Sequence, residues 1–214
     1  EPSQLKMFNK SKIVKKDDSK VTELEEAVAK SLMHFEQSHV ELQDKSRFVL
    51  INSAEEVEFE EADGSMSKYY HIRIPYRSYA FYKAIGDKII EHLEAKFGCT
   101  VMIVANRTII SKRAKHHTSQ MRPRSRTLTN VHNAILQDIA TPSHVTGKRT
   151  RVSLEGRRDE KIYLDPLDKE VTQHRLAAMA HLYARLTTHK INFHYSKPTT
   201  FQQKKLDSAK PKKN

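Results

Sequence analysis

Cysteine, glycine, tryptophan and long apolar runs are scarce or missing in this chain, and each shortage removes a class of activity. Cys99 is the only cysteine in 214 residues. An intrachain disulfide and a cysteine-based zinc site are therefore excluded, and a reducing compartment fits. Only five glycines occur, none in a phosphate-cradling pattern, and neither Cys-x-x-Cys nor His-Glu-x-x-His is present. Neither a nucleotide cradle nor any other cofactor is expected. Tryptophan is absent and aromatic residues make up 7%, mostly at core-like positions, so single-stranded readout by base stacking is not favoured. No apolar run is long enough to span a bilayer, and the basic stretches lack the leucine-rich, aromatic face of an interfacial helix, so no membrane partner is expected. No basic start followed by an apolar core and a small-residue cleavage site appears near Glu1, and nothing there points to secretion.

Positive charge is abundant and unevenly placed. Formal charge is +12. Residues 1–100 carry 15 Lys and Arg against 18 Asp and Glu, net −3, whereas residues 101–214 carry 23 against 8, net +15. Such a split suits a body with one face on a polyanion and another toward solvent or protein. The plainer alternative is a basic protein whose lysines are merely solvated.

The periodicities predict an α/β (mixed α+β) fold, with helices packed on a mixed sheet, one protruding basic hairpin or loop, and extended termini. Residues 1–20 are polar, without sustained period, and read as an arm fixed by a partner. Thr22 to Glu25 reads as a capping box, followed by Leu24, Val28, Leu32 and Phe35 at helical spacing. Val57–Glu60 and Tyr70–Ile74 alternate around Asp63-Gly64, predicting a hairpin whose polar side carries Glu58, Glu60, His71 and Arg73. Tyr82, Ile85, Ile89, Leu93 and Phe97 predict a helix ended by Gly98, and residues 100–105 a buried strand, so that a crossover joins the hairpin's sheet. A helix carrying Leu128, Val131, Ile135 and Ile139 ends at Thr141-Pro142. A second hairpin over 148–164 follows, then a helix from Asp165-Pro166 through about Leu186, then a strand at Ile191, Phe193 and Tyr195. A single domain is expected over 21–195, with a basic disordered tail over 196–214.

Two basic segments are the candidate site. The loop 107–127 carries Arg107, Lys112, Arg113, Lys115, Arg122, Arg124 and Arg126, with no acid before Asp138. Pro123 favours extended backbone, which spaces the arginines along an arm leading into a helix start. Guanidinium groups grip phosphate with paired hydrogen bonds, and a helix N-terminus adds donors and positive potential. The hairpin 148–164 adds Lys148, Arg149, Arg151, Arg157 and Arg158. Phosphate and sugar contacts on folded, double-helical RNA match this inventory, while charge alone does not exclude DNA. His116-His117 lacks carboxylate or thiolate partners for a metal. His132 stands one turn past the arginines and is the right type for a general base, yet no partner adjoins it in sequence, and catalysis is not expected.

The run Arg122-Pro123-Arg124-Ser125-Arg126-Thr127-Leu128-Thr129, continuing through Val131-His132 and Ala134-Ile135-Leu136 to Gly147-Lys148-Arg149, resembles the eukaryotic small-subunit ribosomal protein S7e family. Lys12-Ile13-Val14-Lys15, the two hairpins and the helix order extend the resemblance over about residues 12–195. The resemblance implies a structural constituent of the cytosolic small ribosomal subunit that holds folded rRNA and passes through a nucleolar phase. It also implies contributions to subunit assembly and rRNA processing, beside neighbouring small-subunit ribosomal proteins and pre-ribosomal assembly factors. Arg122, Arg124 and Arg126 would carry the family's first basic signature, and Lys148 and Arg149 the second. The competing expectation is a non-ribosomal nucleolar RNA-processing or assembly factor.

Overall fold

The structure is a computed structural model that describes residues 12–15, 21–61, 64–114, 121–156, 158–200 and 202–203. The chain divides into two compact units, Glu1–Ile139 and Ala140–Asn214.

In the first unit, helix α1 (Glu23–Ser38) starts on the expected capping box. The Thr22 hydroxyl accepts from the Glu25 amide at 3.3 Å, and the Glu25 carboxylate accepts from the Thr22 amide at 3.0 Å. Strands β1 (Ser53–Glu60) and β2 (Met66–Pro75) form the antiparallel hairpin, helix α2 (Tyr76–Phe97) crosses over, and β3 (Thr100–Asn106) pairs parallel to β2. Gly98 ends α2 at φ 64°, a left-handed conformation that costs glycine nothing. Val28, Leu32 and Phe35 of α1 and Ile85, Ile89 and Leu93 of α2 share a core with Ile72, Ile74, Val101 and Ile103.

Four residues of the expected arm are held by the chain's own body. Ile13 pairs with Ile51. The Lys12 ammonium is buried, lies 2.7 Å from Glu36, and donates to the carbonyls of Ser46 at 3.0 Å and Arg47 at 3.2 Å. Three donors meet three acceptors, which is what makes a buried lysine tolerable. The remainder of residues 1–20 lies outside the described residues.

The hairpin's polar side differs from expectation. Partners in β1 and β2 match even with even and odd with odd, so Glu58 and Glu60 share a face with Ile72, while His71 and Arg73 lie on the other. His71 is buried, on the face of Val57, Tyr69 and Met102, and Arg73 stands 3.8 Å from Glu55. Both faces of this sheet are therefore covered at β2 and β3, as a parallel pairing favours.

Helix α3 (Leu128–Ala140) leads to the second unit. There β4 (Val145–Val152) and β5 (Arg158–Leu164) form the second hairpin, and β6 (Ile191–Tyr195) pairs parallel to β5. Asp165 caps the connection by accepting from the Leu167 amide at 3.0 Å. The single helix expected from there is instead a 3-10 turn (Pro166–Asp168), one α turn (Lys169–Thr172), a second 3-10 turn (Gln173–Arg175) and then α4 (Leu176–Thr187). Thr172 sits at the break, its hydroxyl donating to the Asp168 carbonyl at 2.7 Å in competition with the backbone ladder. The α/β class holds, with the strands in two three-stranded mixed sheets rather than one. The order helix, hairpin, helix, parallel strand thus occurs twice, α1-β1-β2-α2-β3 and α3-β4-β5-α4-β6.

Replacing Thr22 by Ala removes one half of the capping box and is expected to cost ~1 kcal/mol of stability. Urea unfolding followed by circular dichroism measures this, and an unchanged midpoint would show that the box is ornamental.

Candidate nucleic-acid interface

Asp138, on α3 and 2% exposed, is the anchor of the first basic segment. Its carboxylate accepts from both terminal nitrogens of Arg107, from the Tyr79 hydroxyl of α2, and from the Ala105 amide of β3 at 3.1 Å. The Arg107 guanidinium also lies 4.9 Å from the Tyr79 ring centroid and 5.8 Å from that of Tyr76. Burial disfavours the charge on Arg107, but the hydrogen bond and attraction of Asp138, joined by Tyr79, hold its pKa above the ordinary value. Burial first, then the bond to Asp138, push the Tyr79 hydroxyl up to about 12. Arg107, expected at the interface, is thus committed to the protein.

The clamp fixes the helix whose start carries the arginine turn. Pro123 is extended (φ −69°, ψ 149°), as its ring requires, but Arg124–Arg126 close into a 3-10 turn instead of running on as an arm. The Arg124 carbonyl draws three donors: the Thr127 amide at 3.2 Å, the Thr127 hydroxyl at 2.8 Å and the Asn130 side-chain amide at 2.7 Å. The Arg126 carbonyl accepts from the Ile110 amide at 3.0 Å, tying the loop's two limbs together. The backbone is held while the side chains of Arg124 and Arg126 stay exposed. Arg122 is half-buried, its Nε enclosed without an acceptor among the described residues. Beside this turn opens a cavity of about 330 Å³ lined by Tyr76, Asn106, Thr108, Ser125, Arg126 and Asn130, among others. Lys112 and Arg113 are exposed further along the loop. Lys115, His116 and His117 lie outside the described residues.

In the second unit, strand register sorts the candidate cations onto two faces. Lys148 shares a face with buried Ile162 and Leu164 and reaches the buried carboxylate of Glu160 at 2.8 Å. Arg149 and Arg151 lie on the opposite, open face with Asp159, Lys161, Tyr163 and His194, and Arg151 stands directly across from Asp159. Arg149 stands directly across from Lys161, and like charges so placed repel unless an anion lies over them. Arg158 is exposed on the Lys148 face, at the turn end. Arg157 lies outside the described residues. Sequence reading missed Lys161, although counting alternate residues back from the turn puts it with Arg149.

The family model described as Ribosomal protein S7e matches residues 12–195. The chain belongs to the ribosomal protein S7e family. It is similar to "Small ribosomal subunit protein eS7" of Avicennia marina, 36% identical over 185 residues that cover 86% of this chain and 95% of that protein. The Arabidopsis thaliana protein "Small ribosomal subunit protein eS7z" is 34% identical, covering 86% and 94%, and the eS7 of Schizosaccharomyces pombe is 35% identical over the same shares. The S7e match spans both basic segments and both hairpins. It is a family of structural ribosomal proteins, and His132 needs no catalytic role.

Two measurements test the clamp. Asp138→Ala strands a buried guanidinium, and a loss of about 3–5 kcal/mol is expected in chemical unfolding. A loss under about 1 kcal/mol, the range of exposed pairs, would show that the clamp is not buried in solution. The Tyr79 proton leaves near pH 10 in the unfolded chain and near 12 in the folded one. The unfolded state therefore releases it first, so a contribution on the order of 2 kcal/mol stands below pH 10 and is lost between 10 and 12. Tyr79→Phe should make that alkaline decline shallower, and superimposable stability curves above pH 10 would contradict it.

Proposed function

We propose that this chain is a structural constituent of the cytosolic small ribosomal subunit that grips folded rRNA mainly through its phosphates. The observation that carries the reading is the turn Arg122–Arg126. Its backbone is locked to the start of α3, yet its guanidinium groups make no ion pair among the described residues. Preorganised cations lose little freedom on binding, and fork-shaped donors match phosphate oxygens. The amides at the start of α3 add partial positive charge close by. Arg149 and Arg151, with Lys161, offer a second phosphate-binding surface on the open sheet face, Lys112 and Arg113 extend the first, and Arg158 adds a cation on the hairpin's other face at its turn. Lys115 and Arg157 complete the proposed set. Arg107 and Lys148 each hold a buried carboxylate and support those surfaces from beneath.

Family membership and the names of the relatives support the ribosomal setting. The finer parts of the reading are a nucleolar phase with pre-ribosomal assembly factors, a contribution to rRNA processing, and contact with neighbouring small-subunit ribosomal proteins.

Changing Arg122, Arg124 and Arg126 together to Ala is expected to weaken binding to small-subunit rRNA. The slope of log affinity against log salt should flatten by roughly two to three, at about 0.7 to 0.9 per phosphate neutralised. Titration over a range of salt concentrations reads both quantities. A slope equal to the parent's would place the turn in solvent.

A further inference from the structure

The cavity beside the arginine turn has a lining that phosphate gripping does not use. We propose that it takes one unpaired base from the RNA that the turn holds. This rests on the RNA-binding reading above and goes beyond it, because phosphate contacts do not tell an unpaired base from a paired one.

Size comes first. About 330 Å³ lies at the small end of ligand pockets, suited to one base and its sugar rather than to a duplex or a peptide. The lining then divides by chemistry. Tyr76 offers an aromatic ring, 62% exposed as a residue, and Ala134 and Thr108 add methyl groups, which suits the flat apolar face of a base. Polar partners come from two asparagines. The Asn130 side-chain nitrogen is spent on the Arg124 carbonyl, which leaves its oxygen as an acceptor. Asn106 is exposed and its amide has no partner among the described residues, so it presents a donor and an acceptor together. Every base has an adjacent donor and acceptor on its unpaired edge, N6 and N1 of adenine, N4 and N3 of cytosine, N1 and O6 of guanine, N3 and O4 of uracil, so an asparagine amide can hold an unpaired base with two hydrogen bonds.

Arg126 belongs both to the cavity wall and to the turn, so a base in the cavity and the phosphate beside it meet one continuous surface. Recognition by stacking is poorly supported over the chain as a whole. A single nucleotide bulged from a helix needs one such place, and folded RNA is read by sequence at bulges and loops.

The test compares affinities of the full chain for one RNA hairpin without a bulge and for the same hairpin carrying a single bulged A, U, G or abasic residue, over a range of salt. Each bulged base is expected to bind roughly tenfold more tightly than the unbulged and abasic forms, within the range of one base stacked on an aromatic ring. The salt slope should stay the same. Ala134→Leu, which fills the cavity, should erase that preference and leave affinity for the unbulged hairpin unchanged. Asn106→Leu, at an exposed position that should not disturb folding, should weaken binding of the bulged bases and leave the abasic hairpin unaffected. Equal affinities for all five RNAs, with a normal salt slope, would overturn the base site and leave the phosphate reading standing. Salt-independent, weak binding of every RNA would instead remove the reading on which it rests.

Discussion

One buried carboxylate determines where the first basic segment stands. Asp138 gathers a side chain from α2, a backbone amide from β3 and the first cation after β3, so the helix behind the arginine turn is fixed by three elements at once. An unpaired carboxylate at that depth would not stay charged, and an unpaired guanidinium there would cost several kcal/mol. The two are tolerable only together. The consequence for function lies one step away: α3 cannot shift without stranding Arg107, and so the turn ahead of α3 presents its arginines at a fixed height and angle.

Much of the fold was legible because its signals are local. The Thr22 capping box, the Gly98 stop, the two hairpins and the strands at residues 100–105 and 191–195 all follow from spacing or from a residue with a particular conformational preference. What failed was non-local. His71 lies opposite Ile72 and Ile74 as its alternation predicts, but whether Glu58 and Glu60 share its face depends on the register of β1 against β2. The division of the strands into two sheets was equally invisible, since a hairpin followed by a helix and a strand reads the same wherever the strand pairs. The broken helix before α4 shows a different limit: the connection from Pro166 keeps helical composition, and its residues give no stop signal where the turns change between 3-10 and α.

The candidate site was legible as a list of residues and not as a division of labour. Charge counting treats Arg107, Lys148 and Arg149 alike. The folded chain gives the first two a buried carboxylate each and leaves the third on an open face beside Lys161. The information that separates them is in the acids. Asp138 is the first acid after Arg107 and falls on the apolar stripe of α3, one residue before Ile139, and Glu160 alternates with Ile162 and Leu164. A carboxylate in phase with core residues must find a cation, so each basic residue near such an acid has a competing claim on it. Lys12 escaped notice for the same reason, its partner Glu36 lying on the half-buried side of α1.

The repeated element order shows how one topology can meet a polyanion in two ways. In the first sheet the middle of β2 and of β3 is buried on both faces, so the proposed contact falls to the end of β3 and the connection that follows it. That connection must then be stiffened, and the triple bond to the Arg124 carbonyl and the Arg126–Ile110 link do this. In the second sheet one face is open, and the strands themselves space Arg149, Arg151 and Lys161 at the regular intervals of a pleated surface. Stiffness then comes from the strand pairing itself, with the Lys148–Glu160 pair on the face beneath. The open face carries its repulsion between Arg149 and Lys161 as a standing cost, which a row of phosphates would relieve on binding. A pair of like charges relieved only when an anion lies over it discriminates for charge before sequence, as the proposed grip on the backbone of folded RNA requires.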